Sequence, residues 1–398
     1  MSENVWILGI HMTKFGKHPT LDVVDLGAEA ARGALRDAGI RMSDVGVLGA
    51  GNLRGPGGFG QALQKQIGQT GIPVFNVANA CATGATALRV AIMAIKAGET
   101  DIGLAVGVEK LSGAGLLTGN ERPKTDSWTP EGRVGAVAAL DGRVGTDTMP
   151  GVFAQIGMEY GHKYGGTSFE LFARISEKNH AHSVLNPLAT YQKKFTLEQI
   201  MNDVMIAYPN TRPMCSANCD GAAAAVVVSE SRLRTLSLEQ QRRAVKVSAS
   251  VLTSDPWSES CQVLPDVNTL TRAAADQAYE QAGVGPEDLD LVELHDCFAT
   301  AELVHYDNLR LCEPGGAVDF FESGATWRDG KRPVNVSGGL ESKGHPIAAT
   351  GIANIWEVAT HLRGEAGERQ IEGAQVGLAH VIGIGNACGV HILEKAAL

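Results

Sequence analysis

The chain has 398 residues, 44% hydrophobic and 20% charged, with a formal net charge of -10. That length exceeds one ordinary core and implies two or more domains. The acidic balance excludes a general attraction to nucleic acid or anionic membrane, while leaving room for a local basic patch that holds a phosphate-bearing ligand.

The first hundred residues alternate strand and helix. Trp6–Ile10 reads as a strand, Leu21–Ala38 as a helix closed by Gly39, and Val45–Ala50 as a second strand. A Gly-rich turn, Gly55–Gly60, leads into a helix ending near Ile67. Pro73–Val77 is a short apolar strand, and Asn76, Asn79 and Ala80 carry the chain into a turn. From Ala82 the apolar residues Ala85, Leu88, Ala91, Ile92 and Ile95 recur at helix spacing, with Gly98 as the stop. Ile102–Val108 is the next strand, and the alternation implies parallel strands with crossover helices.

Beyond Leu111 the rhythm fails. Residues 113–150 are rich in Gly, Pro, Thr and Asp, and helices follow at Val152–Tyr164, Ser168–Ser183 and Thr196–Val204. An insertion of this size reads as a lid or binding subdomain. Regular structure resumes with strand Ala222–Ser229. The second half then repeats the first: strand Val245–Leu252, helix Asp266–Ala282, strand Leu289–Leu294, helix Ala299–Leu311, strand Pro333–Val336, helix Ile347–Arg363, and strands Val376–Val381 and Gly389–Leu393. The repeated order implies two similar halves packed together. The expected organisation is a first half of residues 1–112 and 205–240, an inserted loop domain of 113–204, and a second half of 241–398.

The repeat puts the helix after Cys81 in register with the helix after His345, so two helix N-termini can converge on one site. Cys81 stands where unpaired backbone N–H groups and the helix dipole favour a thiolate; the other reading is a buried cysteine acting as a small hydrophobe. His345, between Gly344 and Pro346, either takes the Cys81 proton or bonds a nearby backbone group. His295, Asp296 and Cys297 sit at the C-terminal tip of a strand, where ligands gather in open α/β sheets. There Asp296 can serve as a helix N-cap. Cys388, on the way into an apolar strand, reads as core. Cys215 and Cys219 are spaced C-x3-C with no second ligand pair, so no zinc site is expected. Lys178, His180 and His182 read as a solvated polar face of the insertion or as a cluster beside the phosphates of a bound ligand, and Asp255–Trp257 as a loop turn. The Gly-rich loop IGIGNACG lacks a phosphate-binding context, although its N–H groups can serve an oxyanion.

Four stretches in this order, NACATGATAL, HDCFATAEL, SGGLESKGHP and GIGNACG, resemble the thiolase superfamily, closest to its sterol-carrier-protein type with bacterial and archaeal relatives. The resemblance covers nearly the whole chain. It implies an α/β thiolase fold of two similar halves in a five-layered α-β-α-β-α arrangement with an inserted loop domain. It implies a 3-oxoacyl-CoA thiolase, or acetyl-CoA C-acyltransferase, with coenzyme A and acyl-CoA as substrates and no tightly bound cofactor or metal. Cys81 would be the acyl-accepting nucleophile, His345 its base and Cys297 the second acid/base. His295 would help hold the thioester oxygen, and the Cys81 and Gly385 N–H groups would form the other oxyanion hole. The second catalytic cysteine of conventional thiolases falls at Gly383 and is absent. Ala348 and Asn386 depart from the glycines usual in the family.

The resemblance also implies a homodimer or homotetramer, with Ile102–Val108 as the pairing edge, and leaves open a thiolase-like condensing acyltransferase or lyase acting with a small partner protein. Seven scattered cysteines suit a reducing cytoplasm, and no signal peptide is expected before Trp6. The longest small-apolar run, Ala222–Val228, is too short to span a bilayer, and EKAAL is not a peroxisomal address.

Overall fold

Strands β1 (Val5–Met12), β2 (Val47–Gly51), β3 (Val74–Val77) and β4 (Ile102–Glu109) are separated by helices α1 (Val23–Ala38), α2 (Phe59–Ile67) and α3 (Thr83–Lys96). In the computed structural model, which describes residues 3–55, 57–112, 149–254, 265–383 and 387–396, the insertion contributes α4 (Met149–Tyr164), α5 (Phe169–Ser183) and α6 (Leu197–Met201), and a hairpin of β5 (Met205–Ala207) and β6 (Asn210–Thr211) follows it. Strand β7 (Gly221–Ser229) and the short helices α7 (Glu230–Leu233) and α8 (Leu238–Arg243) lead to the second half. That half holds β8 (Val245–Thr253), α9 (Pro265–Ala282), β9 (Leu291–Glu293), α10 (Ala299–Asn308), α11 (Ala317–Glu322), α12 (Gly339–Ser342), α13 (Ile347–Arg363), β10 (Val376–Gly383) and β11 (Ala387–Lys395). Expectations for residues 113–148, Asp255–Trp257, Gly385 and Asn386 lie outside the described residues.

Local sequence sets these limits. Asp22 accepts from the Val24 and Asp25 N–H groups at the start of α1, and Gly39 ends the helix at φ 64°. β7 is buried along its whole length, and its alanines let α1 and α13 pack against it.

The strands form one nine-stranded sheet ordered β3-β2-β4-β7-β1-β8-β11-β10-β9, with Val334 bridging Val292 beyond β9. Counted within its own half, each run reads 3-2-4-5-1, so the duplication seen in the sequence is a duplication of topology. The halves join where β1 and β8 run antiparallel, through the pairs Trp6–Lys246 and Ile7–Val245. Helices α1 and α2 cover one outer face, α9 and α10 the other, and α3 and α13 lie between the halves, giving the five-layered thiolase arrangement. Helices α4 and α5 pack onto α10 of the second half.

Helices α3 and α13 approach backbone to backbone at two glycines. A Cβ added at Gly84 would lie 2.6 Å from the Ala348 carbonyl oxygen, and one at Gly351 would lie 2.5 Å from the Ala85 nitrogen. This close approach brings the two helix N-termini together.

Two expectations about strands need correction. Pro333–Val336 forms only the isolated Val334 bridge, because Asn335 turns to φ 54° and leaves the extended region. Ile102–Val108 is no edge: β4 is paired with β2 on one side and antiparallel β7 on the other. Among the described residues the sheet ends at β3, where Phe75 is 49% exposed.

Candidate active site

The turn before α3 is built from small and amide residues. Ala80 is held at φ 46°, left-handed for a residue with a Cβ, and Thr83 fixes it by donating to the Ala80 carbonyl at 2.6 Å while accepting the Asn79 N–H at 2.7 Å. Cys81 follows at the end of this turn. Facing it, Gly344 at φ 117° releases the chain into His345, whose N–H donates to the Ala217 carbonyl at 3.0 Å. A Cβ at Gly344 would meet the Cys219 sulfur at 2.6 Å, so Cys219 is packing beneath this turn.

The two motifs meet. His345 Nε2 lies 3.3 Å from Cys81 Sγ. His345 Nδ1 lies 2.7 Å from Thr350 Oγ1, whose own proton is directed to the Pro346 carbonyl at 3.3 Å. Thr350 therefore accepts from Nδ1–H and leaves the Nε2 lone pair facing the thiol. Burial pushes the Cys81 thiol up to about 12, with Glu109 adding to the rise, and pushes the His345 imidazole down to about 3, helped by Lys343. The resting pair is thus a neutral thiol and a neutral imidazole. Burial thus opposes the thiolate that the helix end favours.

His295 and Cys297 complete the group. The His295 ring stands edge-on to His345 with centroids 5.2 Å apart, and its backbone N–H donates to His380 Nδ1 at 3.3 Å. His295 Nδ1 is buried without a hydrogen-bond partner among the described residues. Cys297 is buried, and desolvation first, then nearby Cys81, holds its thiol well above the usual range, so it carries its proton. Cys81, His295, Cys297 and His345 line one cavity of about 290 Å³, closed on its apolar side by Met149, Phe153 and Phe298. Phe153 and Phe298 stack at 5.3 Å.

Other expectations fare unevenly. Cys388 is fully buried on β11, paired with Ile382 and Thr253, as expected of core. A Cβ at Gly383 would sit 2.6 Å from the Asn79 carbonyl, so this backbone has no room there for a cysteine. Asp296 does not cap α10; it accepts the Leu340 N–H at 2.8 Å at the start of α12 and so ties the His295–Cys297 segment to the segment carrying His345. Cys215 lines the cavity and donates to the Thr211 carbonyl at 3.2 Å; the C-x3-C pair forms no metal-ligating group among the described residues.

The Lys178–His182 cluster is not a solvated face. Lys178 is fully buried against Glu302, His180 bonds the Pro213 carbonyl and Ser342 Oγ, each at 3.0 Å, and His182 bonds the Asn335 carbonyl at 3.0 Å. Burial pushes these imidazoles down, to about 4 for His180 and about 3 for His182. Sequence reasoning missed Thr350, His380 and the carboxylates Glu302 and Glu341 behind Asp296. The one local signal was Thr350 on the first turn after His345.

This fold and this Cys-His pair define a class. The family model described as the thiolase N-terminal domain matches residues 5–133, and that described as thiolase C-terminal domain-like matches residues 257–395. Sterol carrier protein 2 of Gallus gallus is 38% identical over 97% of this chain and 71% of its own length. Acetyl-CoA acetyltransferase of Methanothermobacter thermautotrophicus is 36% identical over 98% of this chain and its full length. The chain belongs to the thiolase family, and it is an enzyme of the acyltransferase class. Solved structures share the fold: an Ltp2-ChsH2(DUF35) aldolase at TM-score 0.78 and 23% identity, covering 98% of each chain, and human mitochondrial 3-ketoacyl-CoA thiolase in complex with CoA at TM-score 0.73 and 17% identity, covering 99% of this chain and 98% of that one. No helix among the described residues is long and apolar enough to cross a membrane.

Proposed function

We propose that this protein is a 3-oxoacyl-CoA thiolase, or acetyl-CoA C-acyltransferase, working through an acyl group on Cys81 with coenzyme A and acyl-CoA as substrates. The observation that carries the reading is the 3.3 Å contact from Cys81 Sγ to His345 Nε2, with the tautomer held by Thr350. Cys81 sulfur attacks the 3-keto carbon as its proton passes to His345 Nε2. His295, at the cavity wall, and the Cys81 and Gly385 N–H groups serve the two oxygens that gather charge. The C2–C3 bond breaks and the acetyl-CoA enolate takes the Cys297 proton; the Cys297 thiolate then takes the proton of coenzyme A as the coenzyme sulfur attacks the acyl carbon, and Cys81 leaves and recovers its proton from His345 Nε2. In the condensing direction the same groups act in reverse.

The protonated, buried state of Cys297 supports its role as acid. A cytoplasmic homodimer or homotetramer belongs to the same reading, with the free β3 edge and exposed Phe75 as the pairing surface. A monomeric mass by light scattering at micromolar concentration would remove that part.

The test is thiolysis of a panel of short, long and 2-methyl-branched 3-oxoacyl-CoAs, with mass spectrometry of the trapped enzyme. Acyl mass on the Cys81 peptide is expected; acyl mass on Cys297 or Cys388 overturns the assignment. The second reading is a condensing acyltransferase or lyase that acts with a small partner protein, and the likeness in fold to the Ltp2-ChsH2(DUF35) aldolase favours it. Turnover of 3-oxoacyl-CoA by the chain alone decides against it.

A further inference from the structure

Cys81 Sγ and one ring nitrogen each of His295 and His345 all lie within 4.8 Å of one another, and all three residues are buried. A tetrahedral zinc ion with bonds of about 2.0–2.3 Å sets ligand atoms roughly 3.3–3.6 Å apart. The Cys81–His345 edge, at 3.3 Å, already has that length. The other two edges are at most 4.8 Å, so an inward shift of the His295 ring on the order of 1 Å closes the set, and among the described residues its Nδ1 has no hydrogen bond to break. Its Nδ1 is a buried polar atom without a partner among the described residues, which marks a place where a ligand improves the balance. The cavity side of the three atoms leaves a fourth position for water or a second thiol.

The other buried cluster with metal-ligand spacing, Asp296, Glu302 and Glu341, does not qualify in the same way. Lys178 Nζ already contacts Glu302, so an internal cation holds that place.

We infer that Cys81, His295 and His345 form a binding site for a zinc-like divalent ion, and that occupancy by such an ion holds the enzyme in an inactive, reversible state. One sulfur and two imidazole nitrogens are the donor set that a borderline-soft d10 cation prefers, and magnesium or calcium would be refused. Binding replaces the Cys81 S–H bond by a sulfur–metal bond and releases one proton to the buffer; no electron moves. The same sulfur cannot hold an ion and an acyl group, so metal and acyl-CoA compete.

The test uses the full-length chain, reduced and stripped with EDTA, and Co2+ as a spectroscopic probe. One equivalent should give a thiolate-to-cobalt charge-transfer band with tetrahedral visible bands, which one equivalent of Zn2+ abolishes while releasing one proton. Carboxamidomethylation of Cys81 in the wild-type chain should remove the band without any question of folding. His295→Gln should weaken Zn2+ binding beyond the roughly tenfold to hundredfold that loss of an outer-shell partner costs. Cys312→Ser, at a thiol outside the cavity, should leave it unchanged. A band that survives Cys81 alkylation, or equal Zn2+ affinity in wild type and His295→Gln, overturns the inference. Metal binding is read without substrate, so a chain that binds Zn2+ but lacks thiolysis defeats the proposed function alone, and the reverse result defeats this inference alone.

Discussion

The turns that carry Cys81 and His345 occupy the same place in the two halves, yet they are built by different means. In the first half a tight turn of small residues, with Ala80 strained at φ 46°, sets the sulfur by backbone geometry. In the second half a longer connection contains α12, and its side chains are buried and bonded: Ser337 to Glu293, and Lys343 to Glu293 at 3.3 Å and to Asn354 at 2.9 Å. A nucleophile has to be approached closely by substrate, which favours small neighbours. A base has to be held in one orientation and one tautomer, which favours a packed polar network. The duplication thus gives two equivalent helix ends, which the proposed mechanism assigns to different tasks.

The comparison breaks first at the sulfur. Cys81→Ala should lower thiolysis on the order of 10⁴-fold or more, as loss of an essential nucleophile does, with an unchanged melting transition. Substantial residual turnover would mean that the first turn is scaffold and the chemistry lies elsewhere. On the base side the expected loss is of stability. Lys343→Met leaves buried Glu293 without its cation and should cost about 3–5 kcal/mol in denaturant unfolding, whereas Cys81→Ala should cost no more than about 1 kcal/mol. Equal costs would erase the distinction between a backbone-set and a network-set turn.

Cys297 and Cys388 sharpen the picture of the second half. Cys297→Ala should lower kcat by roughly a hundredfold, the scale for a positioned acid, while a simple acyl-CoA still acylates Cys81. Cys388→Ala should keep its kcat and lose about 1 kcal/mol of stability. If Cys388→Ala is the inactive variant, the acid has been misplaced. The smallest effect belongs to Thr350→Val, which removes the acceptor from His345 Nδ1 and keeps the shape. A fall in kcat/KM of about tenfold is expected, one hydrogen bond's worth, seen also as slower alkylation of Cys81 by iodoacetamide. An unchanged rate would mean that packing alone orients the imidazole.

Much of this was legible before any coordinates. Helix Ile347–Arg363 has the expected limits, and the convergence of Cys81 and His345 follows from the repeated order of elements. Periodicity and end signals are local, and these features are local too. The misreadings concern partners distant in sequence. Lys178 and Glu302 are 124 residues apart, so nothing near KNHAHS announces that its charge is neutralised inside the protein. Asp296 looks like the cap of the helix that follows it, but it bonds Leu340, 44 residues on. The opposing effect of burial on the Cys81 thiol is not legible, because a helix end is visible in sequence while the depth of burial is not.

The glycine crossing of α3 and α13 has a consequence for how this enzyme can vary. The separation of sulfur and imidazole is gauged by main chain resting on main chain, at Gly84 against Ala348 and Gly351 against Ala85. Side chains elsewhere in the core can be exchanged, larger for smaller, without resetting that gauge. A methyl group at either glycine would act as a shim, driving the helices apart and opening the reacting gap. The sulfur–imidazole spacing is therefore set apart from the apolar wall of the cavity, where Phe153, Phe298 and Met149 can be exchanged without moving the glycine contacts.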